Sequence, residues 1–329
     1  MLSRAGVSET ARADYVRRLS SAFLSVRPAF RTIYFGGGSP ALCDLRPLFE
    51  ALAPCIGSET EFTVELHPLD VTEELLQTLK AGGVNRISMG VQSLDDAILA
   101  DMGRGYALME AERSFQLVKR YFDNAGIDLI VGYPGETAAL LPRHARLAKW
   151  GLRHCSVYSL IVEEKSILAH RLKNAAAGTM ARPDDETTMN RLAVVSRFLA
   201  GLGLERYEIS NYAVPGYECR HNLAVWRGED YLGLGEGACG RVGLRRTRDA
   251  MTLVPTDADE VLSPARDRVE RAIFRLRTRE GIETAAFPKW RGVLDGFVRE
   301  GLLTGEGTVY RLTERGGEVC DSILAELVE

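Results

Sequence analysis

The chain has 329 residues, enough for one large α/β domain and a small appendage. Its 41 basic and 45 acidic side chains leave a net charge of −4, which argues against a nucleic-acid-binding surface. No apolar run approaches the roughly 18 residues of a membrane span and no signal-type apolar core follows Met1, so the expected compartment is the cytoplasm.

Candidate helices and strands alternate along the chain. Residues Glu9–Val26 read as an amphipathic helix with Val16, Leu19 and Phe23 on one stripe. The β-branched and aromatic run Thr32–Phe35 reads as a strand, followed by helix Leu45–Ala53 and strand Glu61–Leu66. Helix Val71–Ala81 stops at Gly82-Gly83. Strand Arg86–Val91, helices Leu94–Met102 and Met109–Asn124, strand Ile127–Val131, helix Ala138–Trp150 and strand Cys155–Val162 complete the alternation. Strands separated by helices imply βα units and a parallel sheet, closed as a barrel or doubly wound. In either, right-handed crossovers bring the strand C-termini to one side, where ligands bind.

A loop is expected over Ala175–Asp185, a helix over Glu186–Leu202, an irregular aromatic and glycine-rich segment over Tyr207–Gly243, and a linker over Val254–Pro264. The tail reads as helix Arg266–Thr278, helix Phe287–Glu300, strand Val309–Leu312 and a closing helix, a pattern resembling a winged helix. Its basic and acidic residues nearly balance, so packing or partner contact is expected rather than DNA reading. The expected domains are 1–173, a partial barrel, 174–253, its extension, and 254–329, the small α+β unit.

The chemistry gathers at the strand ends. Gly36-Gly37-Gly38-Ser39 end the first strand, and residues without Cβ let a ligand lie against bare N–H groups. Glu65, Gln92 and Asp128 end or line later strands, and Arg104 follows the helix after Gln92. Two carboxylates, an amide and an arginine around a glycine cradle suit a ligand with its own amine, carboxylate and hydroxyls. The cysteines (43, 55, 155, 219, 239 and 320) show no CxxC or CxxxC spacing, which excludes a local zinc or iron–sulfur cassette.

The segments GGGSP, Glu65-Leu66-His67-Pro68, Asn85–Ser93 and Gly126–Pro134, in that order, resemble the radical S-adenosylmethionine superfamily. The branch they resemble is that of oxygen-independent coproporphyrinogen III oxidase and its relative, the heme chaperone HemW. The resemblance implies a partial (β/α)6 barrel with a small C-terminal domain. It assigns Gly37, Gly38 and Ser39 to the methionyl part of S-adenosylmethionine, with Glu65, Gln92, Arg104 and Asp128 around the rest and Gly36 within the same cofactor site. In Cys219-Arg220-His221-Asn222-Leu223-Ala224-Val225-Trp226 it implies the chaperone branch's HNxxYW heme motif. His221 is then the candidate axial ligand, with Asn222 and Trp226 beside it.

Three features depart from that pattern. Val225 stands where the motif has tyrosine, and Cys239 where a related glycine-rich turn commonly has histidine. The CxxxCxxC run that holds the [4Fe–4S] cluster precedes the first helix in the family and is absent here, so no metal-binding and no catalytic residue is assigned. The expectation is an N-terminally truncated chain that performs no radical catalysis as given. The function expected is a heme chaperone that binds heme or porphyrin and S-adenosylmethionine and delivers heme to an unidentified acceptor. Coproporphyrinogen III oxidation and a cluster-free degenerate binder are the alternatives.

Overall fold

The computed structural model describes residues 7–23, 28–136, 144–174, 181–253, 258–285 and 287–328. Strands β1 (Phe30–Phe35), β2 (Ile56–Leu66), β3 (Arg86–Gln92), β4 (Ala125–Val131) and β5 (His154–Ser159) run parallel and adjacent in that order. The parallel sheet expected from the βα rhythm continues at its far edge into antiparallel strands. There β7 (Asn211–Ala213) pairs antiparallel with β5, and β6 (Glu205–Arg206) antiparallel with β7. The result is a curled, seven-stranded half-barrel in the order β1-β2-β3-β4-β5-β7-β6.

The helices between strands follow local chemistry. In Glu73–Ala81, Thr72 accepts a hydrogen bond from the Leu75 N–H, and Glu73 and Glu74 sit in the first turn, where carboxylates favour the helix dipole. Leu108–Tyr121 buries Leu108, Ala111, Phe115 and Val118 on one face at the 3–4 residue spacing of a helix stripe. These faces meet Phe62, Val64, Ile87, Met89, Ile127 and Cys155 from the sheet in the main core. Each such apolar side chain stabilises the fold by about 1.5–3 kcal/mol.

The opposite sheet face is polar. Thr32 pairs in register with Glu61, Tyr34 with Thr63 and through it Arg86, and Glu65 with Ser88, Gly126 and His154 in turn. One layer further on, Gly90, Asp128 and Ser156 are aligned. This face lines the concave side of the barrel.

Several boundaries move. Strand Cys155–Val162 ends at Ser159, and the N-terminal helix spans Glu9–Ser21, with 24–27 outside the described residues. Of the helix expected over Ala138–Trp150, residues 138–143 lie outside the described residues and Ala145–Lys149 form a 3-10 turn. The segment expected to be irregular holds a short helix, Arg220–Trp226, and strand Cys239–Val242, which pairs with Arg245–Arg248; Glu260–Val261 joins them as a third strand. Residues 175–180 of the expected loop and 254–257 of the expected linker lie outside the described residues.

A second core is built from Leu276, Ile282, Trp290, Leu294, Leu303 and Leu324 among others. It joins helices Pro264–Leu276, Arg291–Arg299 and Cys320–Val328 to a three-stranded antiparallel sheet. The helix expected over Phe287–Glu300 starts later because Pro288–Trp290 form a 3-10 turn.

Candidate functional site

At the end of β1, Gly37 and Gly38 take positive φ of 72° and 64°, which side chains with a Cβ adopt only under strain. A Cβ at Gly37 would meet nothing within 4 Å, so the cradle's rim is open. The Gly37 N–H donates to Glu65 Oε2 at 2.9 Å and the Tyr34 hydroxyl to Glu65 Oε1 at 2.8 Å. A Cβ at Gly36 would lie 2.7 Å from the Tyr34 ring and 2.9 Å from Glu65 Oε1. Gly36→Ala is therefore expected to part Tyr34 from Glu65 and lower stability by about 1 kcal/mol, measurable as the urea midpoint.

Asp128 reaches the same lumen from β4, accepting a hydrogen bond from Ser88 Oγ at 2.9 Å and another from Ser156. Burial pushes both carboxyls above their ordinary range, and Asp128 raises Glu65 further. Arg86 offsets part of the shift for each. Neither carboxyl forms an ion pair among the described residues. Two carboxyls without an ion-pair partner among the described residues give this lumen the chemistry to receive a cation.

Gln92 ends β3 with φ of 71°, a strained value for a residue with a side chain, and its Nε2 folds over Gly90. Arg104 sits half-buried between Gly103 and Gly105, both at positive φ. Ser39 is buried.

His221 comes into this lumen from below. Its Nδ1 lies 3.1 Å from Thr32 Oγ1, and its ring is tilted 30° against Tyr34 at 5.1 Å between centroids. Nδ1 engaged by a hydroxyl fixes the ring's direction, and Nε2 makes no hydrogen bond among the described residues. Burial pulls the imidazole below its ordinary pKa, Glu61 opposing and Arg86 adding. Asn222 follows on the same helix, half-buried. Trp226 turns away from His221, edge-on to Phe274 at 5.9 Å and under the Arg277 guanidinium. It also donates to the buried Glu208. The structure thus brings His221 to the carboxyl lumen and gives Trp226 to the contact with helix Pro264–Leu276.

Sequence reasoning missed Thr32, Tyr34, Glu61, Arg86, His154 and Tyr207, all on the concave face or packed against it. Arg86 is 1 % exposed with Nε unpartnered. Burial lowers its pKa, but Cys219, Glu61, Tyr207 and Tyr34 around it outweigh that and hold it charged. His154 Nε2 meets the Tyr207 hydroxyl at 2.8 Å, and that oxygen accepts the Cys219 N–H at 3.1 Å.

Among the described residues no group of three His, Cys, Asp or Glu is placed to hold a metal ion. The free cysteines are dispersed. These residues do not fit a three-thiolate cluster, and no radical step follows from them. No helix among the described residues is long and apolar enough to cross a membrane.

The radical SAM superfamily model matches residues 7–148. The heme chaperone HemW of Bacillus subtilis is 31% identical over 92% of this chain and 87% of its own length. That of Mycobacterium tuberculosis is 30% identical over 92% and 81%, and that of Lactococcus lactis 29% over 95% and 89%. Among solved structures, the coproporphyrinogen III oxidase HemN from Escherichia coli, a radical SAM enzyme, superposes with a TM-score of 0.78. It covers 99% of this chain and 85% of that one at 17% identity, a likeness of fold.

Proposed function

The chain belongs to the heme chaperone HemW family of the radical SAM superfamily, and from that premise we propose that it binds heme and S-adenosylmethionine and passes heme to an acceptor protein. The observation that carries the heme reading is His221. Its Nδ1 is held by Thr32 while Nε2 has no hydrogen-bond partner among the described residues, the arrangement of an imidazole prepared to ligate a metal. Heme supplies an iron that takes such a nitrogen as axial ligand. Asn222 belongs to the same motif, and Trp226 contributes through the contact it makes with helix Pro264–Leu276.

The residues at the barrel mouth fit S-adenosylmethionine, which brings a sulfonium and an ammonium to a site with two carboxyls. Glu65 and Asp128 would take the positive charges, while Gly36, Gly37, Gly38 and Ser39 leave room for the amino-acid end. Gln92 and Arg104 would take the remaining polar groups. The oxidase reading rests on a likeness of fold, and no feature of this chain's own site favours it.

Ferric heme titration followed at the Soret band tests the proposal. One equivalent is expected to bind, and His221→Ala to weaken it about 30-fold, roughly 2 kcal/mol. Unchanged affinity and spectrum in that variant overturn His221 as ligand. No saturable Soret change in the wild-type chain points instead to a protein without heme.

A further inference from the structure

We propose that Glu61 is a positioning residue for His221, gripping the backbone of the heme-ligand turn from inside the barrel; this rests on the heme reading above. Glu61 Oε1 accepts the His221 N–H at 3.0 Å and Oε2 the Arg220 N–H at 3.0 Å. The Cys219 thiol also points at Oε1. Glu61 is 5 % exposed, and its two oxygens satisfy N–H groups at the start of helix Arg220–Trp226 that have no partner within the helix.

The grip has a second half. Thr32 is the register partner of Glu61 on the neighbouring strand, and it holds the same histidine by its ring. One pair of residues on β1 and β2 therefore fixes His221 at the main chain and at Nδ1 together. Among the described residues Nε2 has no hydrogen-bond partner, and both contacts set its direction. Outer groups that orient a metal ligand typically change metal affinity about 10–100-fold when removed.

Gln at position 61 has the shape of Glu but only one acceptor oxygen, so its NH₂ opposes one of the two backbone N–H groups. Glu61→Gln is expected to weaken ferric heme binding about tenfold and to broaden the Soret band. Its circular dichroism should stay that of the wild-type fold. Glu61→Asp keeps both oxygens but withdraws them by one methylene, and should fall between the two.

A rescue experiment separates positioning from general damage. In His221→Gly, added imidazole supplies a ligand that is not tied to the backbone. It should restore heme binding equally whether residue 61 is Glu or Gln. If the Gln form is not rescued, residue 61 acts on the fold and the positioning role is overturned. Wild-type affinity and spectrum in Glu61→Gln, with His221→Ala impaired, overturn this inference alone. Wild-type binding by His221→Ala overturns the heme reading and this inference with it.

Discussion

Gly126→Val is expected to destabilise the protein by about 3–5 kcal/mol and to abolish the fixed position of His221. Gly126 lies on β4 between Ser88 and His154 in register. A Cβ there would stand 2.8 Å from the His154 Cβ, 2.8 Å from its backbone oxygen and 3.0 Å from Nδ1. The backbone oxygen belongs to a central sheet and has nowhere to go. Moving His154 strips Tyr207 of its partner, and Tyr207 in turn anchors the Cys219 N–H beside the His221 turn. Buried polar groups left without partners add roughly 1–3 kcal/mol each. Urea unfolding measures the loss, and Gly201→Ala is the control. Gly201 is helical with nothing within 4 Å of an added Cβ, so that change should be neutral or mildly stabilising. A midpoint for Gly126→Val close to wild type would show that the lumen floor is not packed as described.

The succession of strands and helices from β1 to β5 was legible because each carries its own period, whereas their order within the sheet was left between a barrel and a doubly wound arrangement. The polar lumen was written there too. Strands such as Glu61-Phe62-Thr63-Val64-Glu65-Leu66 and Arg86-Ile87-Ser88-Met89 alternate, whereas parallel strands with two apolar faces read as unbroken apolar runs. Attention to the C-terminal halves of the strands found Glu65, Gln92 and Asp128 but passed over Tyr34 and Glu61 inside β1 and β2 and Arg86 at the start of β3. The antiparallel closure was illegible because strands of two and three residues carry no period. The hairpin at Cys239–Arg248 escaped for another reason: Arg245-Arg246-Thr247-Arg248 pairs through its backbone and offers no apolar alternation. The packing of Trp226 against Phe274 depends on a contact almost fifty residues away, which no local pattern encodes.

Asp128→Asn is expected to weaken S-adenosylmethionine binding about 100-fold, near 3 kcal/mol, while making the ligand-free protein more stable. Both effects come from one charge. Asp128 and Glu65 have folded-state pKa values raised by burial, and Asp128 raises Glu65 further. A raised carboxyl favours the fold in its protonated form, so its contribution is full below the unfolded value. That contribution is lost as pH rises through the folded one. Above that window each carboxyl destabilises the ligand-free protein, and a cationic ligand relieves it. Wild-type affinity should therefore rise with pH from the ordinary carboxylate range up through the raised values, with protons released on binding. In Asp128→Asn the rise should flatten and the proton release fall. Glu136 and Glu208 are also raised, so the informative quantity is the difference between variant and wild type, measured by calorimetry in two buffers of different ionisation enthalpy. Asparagine keeps the Ser88 and Ser156 contacts without the charge, which makes a gain of about 1–2 kcal/mol in stability the expected sign. A loss of stability together with unchanged affinity would mean that Asp128 serves the β3–β5 packing and that no cation is recognised there.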